Sequence, residues 1–194
     1  MPAIIRRGVA AGLDWIQLRE KDLPARPLLD LAREAVSTAR GSATRILVND
    51  RLDVALAAGA AGVHLGEASL PVAEVARWCR AEDRENRVPA GFLVGASCHS
   101  LDAAGEAERA GADYIFFGPV FATPSKAAFG PPQGLSKLAE VCRQVHIPVL
   151  AIGGVTLENA AACLEAGAAG VAAIRLFQES TDLAAAVAGL RAGR

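Results

Sequence analysis

Ala58-Gly59-Ala60-Ala61-Gly62-Val63 decides the fold, because it returns unchanged as Ala166-Gly167-Ala168-Ala169-Gly170-Val171. Looser copies stand at Ala10-Ala11-Gly12-Leu13-Asp14-Trp15 and Ala110-Gly111-Ala112-Asp113-Tyr114. In each copy an alanine-rich, helix-forming stretch runs into a glycine. A glycine just past a helix tolerates the left-handed backbone that ends it. A short apolar run follows at once, at 15–18, 63–65, 114–117 and 171–174. These runs are too short for helices and have the composition of strands.

Working outward, three further strand-like runs lie between the copies, at 45–48, 92–96 and 148–152. Helical patterns fill the intervals at 26–40, 51–58, 71–82, 101–110, 135–145, 156–166 and 181–191, and Pro71 suits a first turn. Strict alternation of strand and helix predicts a parallel sheet with right-handed crossovers. The glycine junctions recur at intervals of 47, 52 and 56 residues, and each interval holds two strand–helix units. Four two-unit repeats make an α/β fold of the (β/α)8 TIM barrel type, as a single phosphate-binding domain over 1–194. The rival, a doubly wound open sheet, lacks a GxGxxG after its first strand. Before Trp15 only fourteen residues remain, enough for a helix at about 2–11 and no strand. The expectation is therefore seven strands, the barrel lacking its first and standing open between the strands near Trp15 and Val171. A shortened reading of the chain and a genuine loss both explain the shortage. An open seam exposes two strand edges and favours association into a homo-oligomer, or instability.

Composition narrows the class further. The 194 residues are 52% apolar and 5% aromatic, too apolar for a disordered chain. No uncharged apolar run reaches the roughly 18 residues of a membrane span. The start, MPAIIRRG, turns basic too soon for a secretory signal, so a cytoplasmic protein without a membrane partner is expected. A net charge of −1 offers no basic field for nucleic acid. Cys79, Cys98, Cys142 and Cys163 form no CxxC pair and read as small buried thiols; His64, His99 and His146 have no zinc-ligand spacing.

A barrel of this kind does its chemistry at the C-terminal ends of its strands. Those ends carry Gln17, Arg19 and Lys21; Asn49, Asp50 and Arg51; His64 and Glu67; Ser97 and His99; Thr123 and Lys126; Gly153 and Gly154; and Arg175. Gln17, Arg19 and Lys21 alternate, so on an extended strand they share one face. That face reads as an anion site, or as internal salt bridges such as one to Asp50. Gly153-Gly154 before Thr156 opens a helix whose amides suit a phosphate, or simply turns the chain before a cap. Residues 118–135 form the longest loop-like stretch, and Lys126 within it can reach a second anionic group. Asp50 beside Asn49 suits Mg²⁺ on a polyphosphate, and equally a helix cap or a partner for Arg19. His64 and His99 read as structural residues before acid–base groups.

These residues carry a resemblance. QLREK (17–21), VND followed by Arg51 (48–51), GVHLG (62–66), GASCHS (95–100), GADYIFFGPVFATPSK (111–126), IPVLAIGGVTLEN (147–159) and AGAAGVAAI (166–174) run in one order along the chain. The sequence resembles the superfamily of thiamine phosphate synthase and thiazole tautomerase. The resemblance implies joining of a hydroxymethylpyrimidine diphosphate to a thiazole phosphate with release of pyrophosphate, through a pyrimidine-stabilised carbocation. It implies that Arg19, Lys21, Asn49, Ser97 and Lys126 hold the diphosphate and that Gln17 and Thr123 line the substrate pocket. Asp50 would hold Mg²⁺, and Gly154 with the following amides would take the thiazole phosphate. Two positions depart from the pattern. The family carries Gln-x-Asp after GVHLG, whereas this chain has Glu67-Ala68-Ser69, so Glu67 either replaces the second metal ligand or the metal site is lost. Arg175 stands where a small residue is usual, to add a phosphate contact or to crowd the pocket. Three readings stay open: a synthase, a tautomerase-like isomerase, and a non-catalytic phosphate-binding barrel. Pro119 speaks against the second, because tautomerases commonly carry histidine there.

Overall fold

The structure is a computed structural model, and it describes residues 2–83, 87–123 and 131–192. The elements alternate as the sequence predicts. They are α1 (Pro2–Ala10), β1 (Trp15–Leu18), α2 (Ala25–Ala39), β2 (Arg45–Asn49), α3 (Leu52–Ala58), β3 (Gly62–Leu65), α4 (Val72–Asp83) and β4 (Leu93–Cys98). They continue as α5 (Leu101–Arg109), β5 (Tyr114–Phe117), α6 (Gly134–Gln144), β6 (Val149–Ile152), α7 (Leu157–Glu165), β7 (Gly170–Ala172), α8 (Arg175–Gln178) and α9 (Leu183–Ala192). The strands form a seven-stranded sheet in sequence order. This is the alternation of a (β/α)8 barrel with seven strands among the described residues. Residues 2–10 form helix α1, so β1 is the first strand among the described residues and follows a helix.

The four glycines of the repeat do what their positions require. Gly12, Gly59, Gly111 and Gly167 all have positive φ, between 67° and 99°. Each stands one or two residues beyond a helix and turns the chain into the next strand.

Two compact units divide the chain at Gly95 and Ala96. In the first, β1, β2 and β3 pair in parallel, with Gln17 opposite Leu47 and Asn49 opposite His64. Its core joins Leu18, Ile46, Val48, Val63 and Leu65 to Leu28, Ala32 and Ala35 of α2 and Val54 and Ala55 of α3. Alanines on the inner face of α2 keep that helix close to its neighbours. Each fully buried valine or leucine contributes about 1.5–3 kcal/mol. In the second unit β5, β6 and β7 pair in parallel. All four residues of β5 are buried, and Tyr114 and Phe116 pack ring to ring at 5.5 Å. Burial holds the Tyr114 hydroxyl far above the usual phenol range.

Several boundaries differ from the sequence reading. The strand expected at 92–96 runs on to Cys98, so Ser97 lies within β4 rather than at its end. The extended segment at 15–18 stops at Leu18, and Lys21 sits in a turn. Pro24 is the reason: it caps α2, and the chain must turn before it. Lys21 therefore does not continue the alternation that begins at Gln17. The strand expected at 171–174 ends at Ala172, and the four-residue helix α8 follows. Arg175 is the first residue of that helix. Of the four cysteines, Cys79, Cys98 and Cys163 are buried and Cys142 is half-buried.

Candidate active site

The first unit brings an acidic strand end together with polar and cationic neighbours. Gln17 in β1 donates from Nε2 to Asn49 Oδ1 at the end of β2, at 2.9 Å. That contact leaves Gln17 Oε1 and Asn49 Nδ2 for other partners, an acceptor and a donor side by side. Asp50 follows with φ of 70°, the one non-glycine residue with positive φ among the described residues. Its backbone is held on three sides. The Asp50 N–H donates to His64 O at 2.8 Å, Arg51 N–H donates to Asn49 O at 2.8 Å, and Leu52 N–H donates to Asp50 O at 3.2 Å. The second of these closes a three-residue turn centred on Asp50, a form rare at positive φ, and the third closes one centred on Arg51 at φ of −96°, the common inverse form. Left-handed backbone at a non-glycine residue costs about 1 kcal/mol or more and persists where the surroundings over-determine it.

Asp50 is exposed and joins no ion pair among the described residues. No bridge between Arg19 and Asp50 forms there either; Arg19 is exposed. Arg19 acts instead on His64. That ring is 1% exposed, and burial with the Arg19 charge pushes its pKa down to about 4. His64 is therefore a neutral, buried residue near neutral pH, as the structural reading expected. Arg51 forms a two-pronged pair with Asp53 in the first turn of α3, Nε to Oδ1 at 2.9 Å and Nη2 to Oδ2 at 2.7 Å. The pair raises the Arg51 pKa and holds the Asp53 carboxyl below its usual range.

The chain leaving β3 makes a tight turn at 66–69. Ser69 N–H donates to Gly66 O at 3.1 Å, and Gly66 N–H donates to Ser69 Oγ at 2.6 Å. Ser69 thus spends its side chain on closing the turn, with Glu67 exposed within it. Mg²⁺ takes oxygens from one or two carboxylates and completes its shell with water and substrate phosphate. Asp50, at the end of β2, and Glu67, in the turn after β3, are the carboxylates such a site would draw on. Among the described residues no group of three or more His, Cys, Asp or Glu is placed for a metal.

The second unit builds its strand ends from glycine. The loop leaving β5 lies on the loop leaving β6. Val120 N–H donates to Ile152 O at 2.9 Å, and Phe121 N–H to Gly153 O at 3.0 Å. Gly153 and Gly154 have φ of 91° and 68°. A Cβ on Gly153 would meet Pro119 at 2.6 Å, and one on Gly154 would meet Ala122 O and Phe121 at 2.7 Å. The start of α7 is capped by Asn159, whose Oδ1 accepts from Thr156 N–H at 2.8 Å and whose Nδ2 donates to Gly154 O at 3.0 Å. His99, just past β4, contacts Gly118 O through Nδ1. A carbonyl only accepts, so Nδ1 carries the hydrogen and ties β4 to the β5 loop. Ser97 in β4 and Thr123 in the β5 loop are both half-buried, and Arg175 is exposed at the start of α8. Lys126 lies outside the described residues. The His99 contact, the Arg51–Asp53 pair and helix α8 were not foreseen in the sequence. An acid two residues after an arginine at a helix start was the available signal for the pair.

Comparison with known proteins identifies the family. A family model described as thiamine monophosphate synthase matches residues 1–177. A thiamine-phosphate synthase of Methanoculleus marisnigri is 46% identical over 188 residues, which is 97% of this chain and 85% of that one. One of Methanocella arvoryzae is 43% identical over 191 residues, covering 98% and 86%. The solved structure of thiamine phosphate pyrophosphorylase from Pyrococcus furiosus superposes with a TM-score of 0.82 at 32% identity, over 99% of this chain and 88% of that one. With its motifs in order along nearly its whole length, the chain belongs to the thiamine monophosphate synthase family.

Proposed function

We propose that this chain is a thiamine phosphate synthase, a transferase of thiamine biosynthesis that joins hydroxymethylpyrimidine diphosphate to thiazole phosphate and releases pyrophosphate. The observation that carries the reading is identity of 46% and 43% to proteins of that name across almost the full chain. The strand ends supply what the reaction needs. The carbon–oxygen bond to the diphosphate breaks, the pyrimidine bears the positive charge, and the thiazole takes the vacated position. No protein nucleophile is required; the leaving group's charge must be neutralised and the two substrates aligned.

In this reading Arg19, Lys21, Asn49, Ser97 and Lys126 bind the diphosphate. Gln17 and Thr123 line the pyrimidine pocket, and the fixed Gln17 amide leaves its carbonyl to accept from an amino group on that ring. Gly153, Gly154 and the N-terminus of α7 take the thiazole phosphate, since backbone free of Cβ lets an anion approach closely. Arg175 adds a cation to that phosphate. Asp50, with Glu67, would hold Mg²⁺, which when bound supplies positive charge to the diphosphate oxygens. The partners are small phosphorylated molecules. A cytoplasmic location belongs to the same reading; no described helix is long and apolar enough to cross a membrane.

A coupled assay with both substrates and Mg²⁺ tests the reading. Thiamine phosphate formed at enzymatic rates is the expected result. Isomerisation of the thiazole carboxylate phosphate without coupling would replace the synthase by a tautomerase, and no turnover would leave a phosphate-binding barrel. Lys126→Ala is expected to lower turnover about a hundredfold, the scale of one lost transition-state contact. An unchanged rate would remove Lys126 from the diphosphate site.

A further inference from the structure

The junction of β2 and α3 sets an acid and a base side by side, Asp50 and Arg51, yet a third residue takes the base. Asp53 grips the Arg51 guanidinium with both carboxylate oxygens, at 2.9 and 2.7 Å. Asp50 acts on the same guanidinium electrostatically, and more weakly than Asp53 does. Asp53 also stands in the first turn of α3, where the helix's positive end favours an acid. The backbone keeps the two neighbours apart: Asp50 is left-handed with φ of 70°, while Arg51 caps α3 with φ of −96° and ψ of 81°.

We propose that Asp53 is a positioning residue that sequesters Arg51, so that the Asp50 carboxylate keeps its full charge for a divalent cation. This rests on the reading of Asp50 as a metal ligand. An arginine next in sequence to an exposed aspartate is its nearest counter-charge. A cation competing with that arginine meets a neutralised ligand and a positive neighbour. With the guanidinium held on the helix by a fork of two charge-assisted bonds, direct pairing with Asp50 is pre-empted before any metal arrives and only the weaker electrostatic interaction is left. The Arg51–Asp53 pair is thus a device for leaving Asp50 unpaired.

Mn²⁺ binding to the full chain with saturating inorganic pyrophosphate, read from the electron paramagnetic resonance of free Mn²⁺, tests this apart from turnover. Asp53→Asn is expected to weaken Mn²⁺ binding about tenfold, the scale of one screened unit charge a few ångströms away. Arg51→Gln with Asp53→Asn is expected to restore the wild-type affinity, because no stray guanidinium remains. A double variant as weak as Asp53→Asn alone would make the pair merely structural and overturn the proposal. So would an Asp53→Asn protein that binds Mn²⁺ like the wild type. Arg51→Gln alone is expected to bind at least as tightly as the wild type, and a loss there would also overturn the proposal, whether or not Asp53→Asn folds. Asp50→Asn separates the two levels. If it leaves Mn²⁺ affinity unchanged, Asp50 is not the ligand and both readings fall. If it abolishes binding while Asp53→Asn does nothing, only the sequestering role falls.

Discussion

The end of β2 and the end of β6 solve opposite problems with the same backbone. Both turn through left-handed conformations, Asp50 at φ of 70° and Gly153 and Gly154 at 91° and 68°. At β6 any side chain would strike Pro119 or Phe121, so the strand end is stripped to backbone. At β2 a side chain is retained where glycine would be easier. Strain is accepted there in exchange for a carboxylate, and two hydrogen bonds of the Asp50 backbone with one between its neighbours hold it in place. The first unit presents groups at its strand end, whereas the second removes them to let something else come close.

The largest test of that contrast is Gly153→Ala. The new methyl is strained by the positive φ and meets Pro119 at 2.6 Å, so a loss of about 3 kcal/mol or more is expected in urea unfolding. A variant of wild-type stability would mean that glycine is not required by packing at β6. Next in size is the acid response of the β2–β3 end, where His64 accepts the Asp50 N–H through its carbonyl. The folded chain disfavours the charged ring, whose pKa drops from 6.5 to about 4. Stability is therefore full above pH 6.5 and declines as pH falls toward 4, by up to about 1.4 kcal/mol per unit. Urea midpoints across that window should show the decline in the wild type and a flatter curve in His64→Gln.

Asp50→Gly is expected to raise stability by about 1 kcal/mol through relief of the left-handed strain, while abolishing any metal response. A destabilised Asp50→Gly would show that the aspartate side chain supports the fold and that strain is not what it costs. The smallest effect expected is in Ser69→Asp. A carboxylate oxygen can still accept from Gly66 N–H, so the turn survives, and Mg²⁺ affinity rises by the added charge. A flat calorimetric titration would remove the metal from the Asp50 end.

The repeat was legible because it depends on local chemistry. A glycine past a helix and an apolar run after it say the same thing in all four copies, and the positive φ values answer to that. The seven-strand count was legible for the same reason. Lys21 was misread because alternation was carried past Leu18, where Pro24 already demanded a turn. Ser97 was misread because β4 continues two residues beyond its apolar run, so composition alone placed the strand end too early. The Gln17–Asn49 contact joins residues 32 apart and required the β1–β2 register to be seen. Asp53 escaped notice because an acid at a helix start reads as an ordinary dipole partner, and only the geometry shows which cation it takes.

The loop leaving β5 is closed at its base. Gln133 N–H donates to Pro119 O at 2.8 Å and Gly134 N–H to Val120 O at 3.0 Å, so the chain returns to within one hydrogen bond of where it left. A loop with a clasped stem answers to its own length only weakly, since doubling the enclosed chain adds about 0.6 kcal/mol of closure entropy. The two bonds therefore act as a latch at the foot of the loop, fixing by backbone alone where the chain enters α6 and how the β5 end meets the β6 glycine turn.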